Sequence, residues 1–135
     1  MNNLVDVSDV IICVDDEKEI LEILQKQLMA MFGQGFEYEF AESGEEALEL
    51  IEEIEDEEES KVRLVISDWS MPGLKGDELI YEIRKKRPGI RTLLLTGQAP
   101  DEVMEKVCEP GSGNCMLKPW DQQSLKDRIQ GLISA

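Results

Sequence analysis

The sequence contains no histidine among its 135 residues. This excludes the usual imidazole base, a histidine ligand for zinc and a phosphohistidine carrier within the chain. Basic residues are scarce, 14 against 30 acidic ones, for a net charge of −16. That balance argues against nucleic acid as a direct partner and favours cations and basic protein surfaces. Cysteine is limited to Cys13, Cys108 and Cys115. An odd number without CxxC spacing reads as buried thiols in a reducing compartment, not as a disulfide framework or zinc site. No apolar run approaches the roughly 18 residues of a membrane span. The start, Met1-Asn2-Asn3-Leu4-Val5-Asp6, lacks the basic and apolar regions of a signal peptide. The expectation is one soluble, cytoplasmic domain over 1–135, with its core at about 9–133 and no membrane insertion.

What is present is a rhythm. Apolar runs alternate with amphipathic segments from end to end, the βαβ pattern of an α/β fold. The first strand is expected at about Asp9–Val14 and the first helix at Glu17–Phe32, stopped by Gly33-Gln34-Gly35. Phe36-Glu37-Tyr38-Glu39-Phe40 alternates apolar with acidic residues. The other strands read as continuous apolar runs, as parallel strands covered on both faces do. The alternating strand is therefore expected at a sheet edge. Ser43 and Glu46 are spaced as a capping box for the second helix. A third strand at Val62–Ser67 leads to Asp68, and a helix at about Asp77–Lys86 ends at Pro88-Gly89. A fourth strand at Arg91–Thr96 precedes a helix at Asp101–Glu109, N-capped by Asp101 and stopped by Pro110-Gly111. A fifth strand at Asn114–Leu117 and a helix from Asp121 complete the pattern. The run Glu52-Glu53-Ile54-Glu55-Asp56-Glu57-Glu58-Glu59 reads as a solvated helix end and loop, with a docking surface for a basic partner as the alternative.

The ends of the apolar runs carry the chemistry. The first ends in Asp15-Asp16, the third in Asp68, the fourth in Thr96-Gly97 and the fifth in Lys118-Pro119-Trp120. Open parallel sheets bind ligands outside the carboxyl ends of their strands, where strand order reverses. In a five-stranded, doubly wound sheet ordered 2-1-3-4-5, that point lies between the first and third strands. Three carboxylates, a hydroxyl and an ammonium then meet at one edge. Unit charges about 4 Å apart repel by about 4 kcal/mol at an effective dielectric of 20. Lys118 offsets part of this, and an all-oxygen site suits Mg²⁺. Asp68 can then act as a nucleophile toward a phosphoryl group and form an acyl phosphate. Each residue alone has an ordinary explanation: a helix start for Asp15-Asp16, an Asx turn for Asp68, a strand residue for Thr96, a surface lysine for Lys118. Four strand ends that look functional together do not.

Val14-Asp15-Asp16-Glu17, Asp68-Trp69-Ser70-Met71-Pro72-Gly73, Leu95-Thr96-Gly97-Gln98 and Leu117-Lys118-Pro119-Trp120 stand in an order and at spacings that form a specific set. On these stretches the chain resembles the receiver domain of bacterial two-component response regulators, of the chemotaxis-regulator-like kind, from about Asp9 to Ile133. The resemblance implies a flavodoxin-like fold with five helices and a phosphoacceptor, not an enzyme in its own right. It implies that Asp68 is the phosphoacceptor and that Asp15 and Asp16 form the acidic metal pocket. Asp16, Asp68 and the backbone carbonyl of Ser70 would contact Mg²⁺. Thr96 would be the switch hydroxyl and Lys118 the phosphate-pairing lysine. The implied partners are a sensor histidine kinase or phosphotransfer protein, and a downstream target at the face of the fourth helix, fifth strand and last helix. The positions of Ser70 and Gln98 are those that tune acyl-phosphate lifetime in this family.

One position departs from the family pattern. Receivers usually carry Tyr or Phe three residues before the lysine, and here that residue is Cys115. Other functions fit less well. A haloacid-dehalogenase-type phosphatase needs a second Asp where Ser70 stands. A flavodoxin-like redox protein needs a phosphate-cradling loop where Asp15-Asp16-Glu17 would repel the cofactor. A receiver-like module that binds without phosphorylation, or a phosphorelay intermediate, is the alternative within the same fold.

Overall fold

The computed structural model describes residues 8–57, 59–97, 100–108 and 114–134. Among these residues, five strands and five α-helices alternate. They are β1 (Ser8–Val14), α1 (Lys18–Phe32), β2 (Glu37–Ala41), α2 (Gly44–Glu55), β3 (Ser60–Asp68), α3 (Gly76–Lys86), β4 (Arg91–Thr96), α4 (Asp101–Val107), β5 (Cys115–Leu117) and α5 (Gln122–Ser134), with a 3-10 turn at Gly33–Gly35. All strand pairings are parallel and the order is β2-β1-β3-β4-β5. This is the flavodoxin-like, doubly wound arrangement expected from the sequence.

The pleat explains why the central runs are apolar throughout. Successive strand residues point to opposite faces, and both faces are covered. Val10, Ile12 and Val14 of β1 and Val65 of β3 face one core with Ala47 and Ile51 of α2 and Leu79 and Ile83 of α3. Ile11 and Cys13 of β1, Ile66 of β3 and Leu93 and Leu95 of β4 face the other, with Leu21, Leu24 and Leu28 of α1 and Leu125 and Ile129 of α5. The edge strand β2 has exposed Glu37 and Glu39 between half-buried Tyr38 and Phe40, as its alternation predicted. Ser43 caps α2 by accepting a hydrogen bond from the Glu46 N–H at 3.0 Å.

Two expectations from the sequence are corrected. Asp101 does not cap α4. Pro100 is the N-cap and makes no side-chain cap bond. Its carbonyl accepts from the N–H groups of Val103 and Met104, which leaves Asp101 as the first helical residue, where a carboxylate still favours the helix dipole. The proposed stop, Pro110-Gly111, lies outside the described residues, and the helix ends earlier, at Val107. The cysteines are not all free thiols either. Cys108 and Cys115 are joined by a disulfide, and only Cys13 is a buried thiol. The fold sets the end of α4 beside β5 with a Cα–Cα distance of 5.5 Å, inside the range a disulfide bridges. Neither odd number nor spacing could reveal that proximity.

Candidate functional site

The carboxyl ends of β1, β3, β4 and β5 lie at one sheet edge because the strands are parallel and in register. Val14 pairs with Ser67, Asp68 with Leu95, and Thr96 with Leu117. Asp15, Asp68, Thr96 and Lys118 thus lie at or just beyond adjacent strand ends. Asp15, Asp68 and Thr96 are buried, while Asp16 is exposed. Carboxylate oxygens of Asp15, Asp16 and Asp68 all lie within 4.8 Å of one another.

Lys118 closes the constellation. Its Nζ donates to Asp68 Oδ1 at 2.8 Å and to Asp15 Oδ2 at 3.4 Å. Burial alone would lower the lysine pKa, but the hydrogen bond to Asp68 and the charges of Asp15 and Asp68 outweigh it and hold the ammonium above its ordinary value. Burial raises the Asp15 pKa, against the hydrogen bond its Oδ1 accepts from the Glu17 N–H at 2.9 Å and the nearby Lys118 charge. The Lys118 N–H donates to the Thr96 carbonyl at 2.9 Å, so β4 positions the lysine backbone. The following Lys118–Pro119 peptide is cis.

Asp68 is held from behind. The Ser67 hydroxyl donates to the Asp68 carbonyl at 2.8 Å. The Trp69 N–H donates to the Leu95 carbonyl and the Trp69 carbonyl accepts from Gly76 N–H. The Trp69 indole N–H donates to Asp77 at 2.8 Å, and the Lys75 ammonium lies 5.3 Å from its ring centroid. Ser70 is exposed in the turn that follows. The turn reverses at Gly73, whose φ of 76° suits glycine. Sequence reasoning named Asp15, Asp16, Asp68, Ser70, Thr96 and Lys118, and the structure gathers the three aspartates and Lys118 in direct contact range. It missed Ser67, Gly76 and Asp77. The pair Gly73 and Gly76, flanking the turn after Asp68, was the available signal. Gln98 lies outside the described residues.

Magnesium coordinated octahedrally at about 2.0–2.1 Å needs ligand oxygens about 3–4 Å apart. The three carboxylates are all-oxygen donors whose oxygens gather within 4.8 Å of one another, so their chemistry fits such an ion. They also lack the sulfur or imidazole donors that softer metals prefer.

Comparisons with known proteins agree with this geometry. The family model described as response regulator receiver domain matches residues 11–130. The chain is 32% identical to the "Transcriptional regulatory protein CpxR homolog" of Haemophilus influenzae, covering 91% of this chain and 49% of that protein. It thus spans about half the length of that regulator. It is 28% identical to a "Chemotaxis protein CheY homolog" of Campylobacter jejuni, covering 91% of each. The crystal structure of the signal receiver domain of an HD domain-containing protein from Pseudomonas fluorescens superposes with a TM-score of 0.80 at 27% identity, over 94% of this chain and 95% of that one. With the acidic edge, the lysine bridge and the strand order all in place, the chain belongs to the response regulator receiver domain family.

Proposed function

We propose that this chain is a phosphoacceptor signalling domain, the receiver unit of a two-component pathway, acting in the cytoplasm. Asp68 receives a phosphoryl group from the phosphohistidine of a sensor histidine kinase or phosphotransfer protein. A carboxylate oxygen of Asp68 bonds to phosphorus, the P–N bond to the partner's histidine breaks, and the nitrogen keeps the electron pair. The partner must supply the histidine, because this chain has none. The chain is not an enzyme in this reading, beyond slow loss of its own phosphoryl group to water.

Asp15, Asp16, Asp68 and the Ser70 backbone carbonyl would hold Mg²⁺. The ion would neutralise charge on the transferring oxygens. Lys118 is already 2.8 Å from Asp68, and it would pair with a phosphoryl oxygen as a point charge. The Thr96 hydroxyl would donate to a second oxygen. The turn pinned through Trp69 keeps the Asp68 backbone in place while its side chain reacts. Output would pass to a downstream protein at the face of α4, β5 and α5, with no direct nucleic-acid contact. An output shift from 1:99 to 99:1 needs about 5.5 kcal/mol of differential stabilisation.

The observation that carries this reading is the cluster of three carboxylates with Lys118 bridging Asp68 and Asp15. The test is incubation with a small phosphodonor and Mg²⁺, read by intact mass. The expected result is one phosphoryl adduct on the wild type and none on Asp68→Asn. An unmodified wild type that nevertheless binds Mg²⁺ would favour the alternative, a receiver-like module acting without phosphorylation.

A further inference from the structure

The disulfide occupies a position with consequences for the whole output face. Cys115 stands three residues before Lys118, on β5, and pairs with Leu94 of β4. Its carbonyl accepts a hydrogen bond from the Arg128 guanidinium of α5. Cys108 is the C-cap of α4, and its N–H donates to the Met104 carbonyl at 2.8 Å to close the last turn. Both cysteines pack on a small core of Ile80 from α3 and Leu94, which Trp69 also joins. Trp69 directly follows Asp68. One covalent bond therefore links α4 to β5 beside the residue next to the phosphoacceptor.

This link matters most for α4. It is the shortest of the five helices, at 7 residues, and has no side-chain cap at its start. A helix of that length does not hold in isolation and depends on what anchors it. The three cysteines also differ in access. Cys108 and Cys115 are half-buried, whereas Cys13 is fully buried. Disulfides in reducing compartments are usually transient and redox-sensing rather than structural.

We propose that Cys108 and Cys115 form a reversible, redox-controlled clamp that fixes the end of α4 to β5 when oxidised and frees it when reduced. The oxidant is a low-molecular-weight disulfide. One cysteine thiolate attacks a sulfur of that disulfide and displaces the first small thiolate. The second cysteine thiolate then attacks the mixed disulfide and displaces the other. Two cysteine thiols are oxidised and one small disulfide is reduced to two thiols. Dithiol reductants run the exchange backwards. The clamp stands where receivers usually place a mobile aromatic ring, so the α4–β5 face gains a covalent control in place of a rotating side chain.

The test uses the whole chain and no phosphodonor, so its outcome is independent of Asp68 chemistry. The protein is equilibrated in buffers of reduced and oxidised glutathione, quenched, unfolded and alkylated. Intact mass should show all three cysteines alkylated at the reducing end and only Cys13 at the oxidising end, reversibly. Amide hydrogen exchange in α4 and β5 should slow by roughly tenfold or more on oxidation, as a cross-link removes open states. Cys108→Ser and Cys115→Ser should each abolish that redox dependence. If Cys115→Ser fails to fold, Cys108→Ser at the helix end decides alone. Three alkylated cysteines across the whole series, or equal exchange rates in the two states, would overturn the proposal.

Discussion

Gly76 lies directly under the backbone of Asp68: a Cβ added there would sit 2.2 Å from the Asp68 carbonyl oxygen and 2.9 Å from a Leu94 methyl. The first residue of α3 thereby sets how close that helix comes to the end of β3. The Gly76 N–H also donates to the Trp69 carbonyl at 3.0 Å. Glycine is required by the close approach and not by an unusual φ.

Gly76→Ala is expected to be destabilising, although alanine is the better helix former by about 1 kcal/mol. Forcing extra volume into a packed site costs typically about 1–3 kcal/mol, and here the clash is with backbone that cannot rotate away. The expected result is a net loss in urea unfolding and slower phosphoryl uptake by a displaced Asp68. Gly89→Ala serves as the control, since nothing lies within 4 Å of an added Cβ there. Equal midpoints for the two variants would remove the close-approach argument.

Magnesium should stabilise the folded chain through the three clustered carboxylates. A ligand at ten times its Kd that binds only the folded state adds about 1.4 kcal/mol. Thermal melts across a Mg²⁺ series should rise accordingly, and Asp16→Asn should flatten the series. Asp16 is exposed, so solvent screening keeps small the gain in the metal-free melt from relieving its repulsion with Asp15 and Asp68. A series of equal slope in wild type and Asp16→Asn would place the ion elsewhere.

Lys118→Met should destabilise the metal-free protein. It leaves Asp15 and Asp68 facing one another with no cation between them. Removing one partner of a buried pair costs about 3–5 kcal/mol. The Lys118 side chain keeps 22% exposure, and solvent screening reduces the expected loss to about 1–3 kcal/mol. Denaturant titration in chelator measures it. Adding Asp68→Asn to Lys118→Met should recover part of the loss by removing one of the two repelling charges, and a double mutant weaker than the single would contradict that account.

Acid stability should report on Asp121. Its side chain accepts from the Ser124 hydroxyl at 2.6 Å and the Ser124 N–H at 2.9 Å, and these bonds hold its pKa below the ordinary value. A carboxylate with a depressed folded pKa contributes stability above its unfolded pKa of about 3.9 and loses it as pH falls through the folded value. Asp121→Ala should therefore be less stable than wild type at neutral pH, with the gap closing below about pH 4. Urea midpoints from neutral to acid pH check this, and a gap that does not narrow would rule the cap out as the cause.

Much of the fold was legible because parallel strands leave a strong signature. β1, β3 and β4 are covered on both faces and so are apolar without alternation, while β2 at the edge alternates. That contrast placed β2 at a sheet edge, which agrees with the order β2-β1-β3-β4-β5. The site was legible for a related reason. Strand ends in a parallel sheet meet at one edge, so Asp15, Asp16, Asp68, Thr96 and Lys118 could be placed together from their positions after apolar runs.

Proximity that no periodicity encodes was not legible. Asp15 and Asp16 are neighbours of identical type, yet one is buried and the other exposed, because the pleat and the Asx-like bond to Glu17 turn only the first inward. Asp101 and Asp121 both stand at helix starts, but Asp101 is already the first residue of α4 while Asp121 precedes α5. Only Asp121 caps: from the position before its helix, its carboxylate accepts from the Ser124 N–H three residues on, whereas Pro100 occupies that position before α4.

The amino-acid sequence by itself determined the α/β class, the edge position of the second strand and the identity of the acidic strand ends, since these follow from hydrophobic period and from chain direction. Only the tertiary structure decided that Lys118 bridges Asp68 and Asp15, that Gly76 sits beneath Asp68, and that Cys108 meets Cys115. Each of these depends on the distance between elements after packing. Side-chain volumes across the whole core set that distance, and no local run of residues records it.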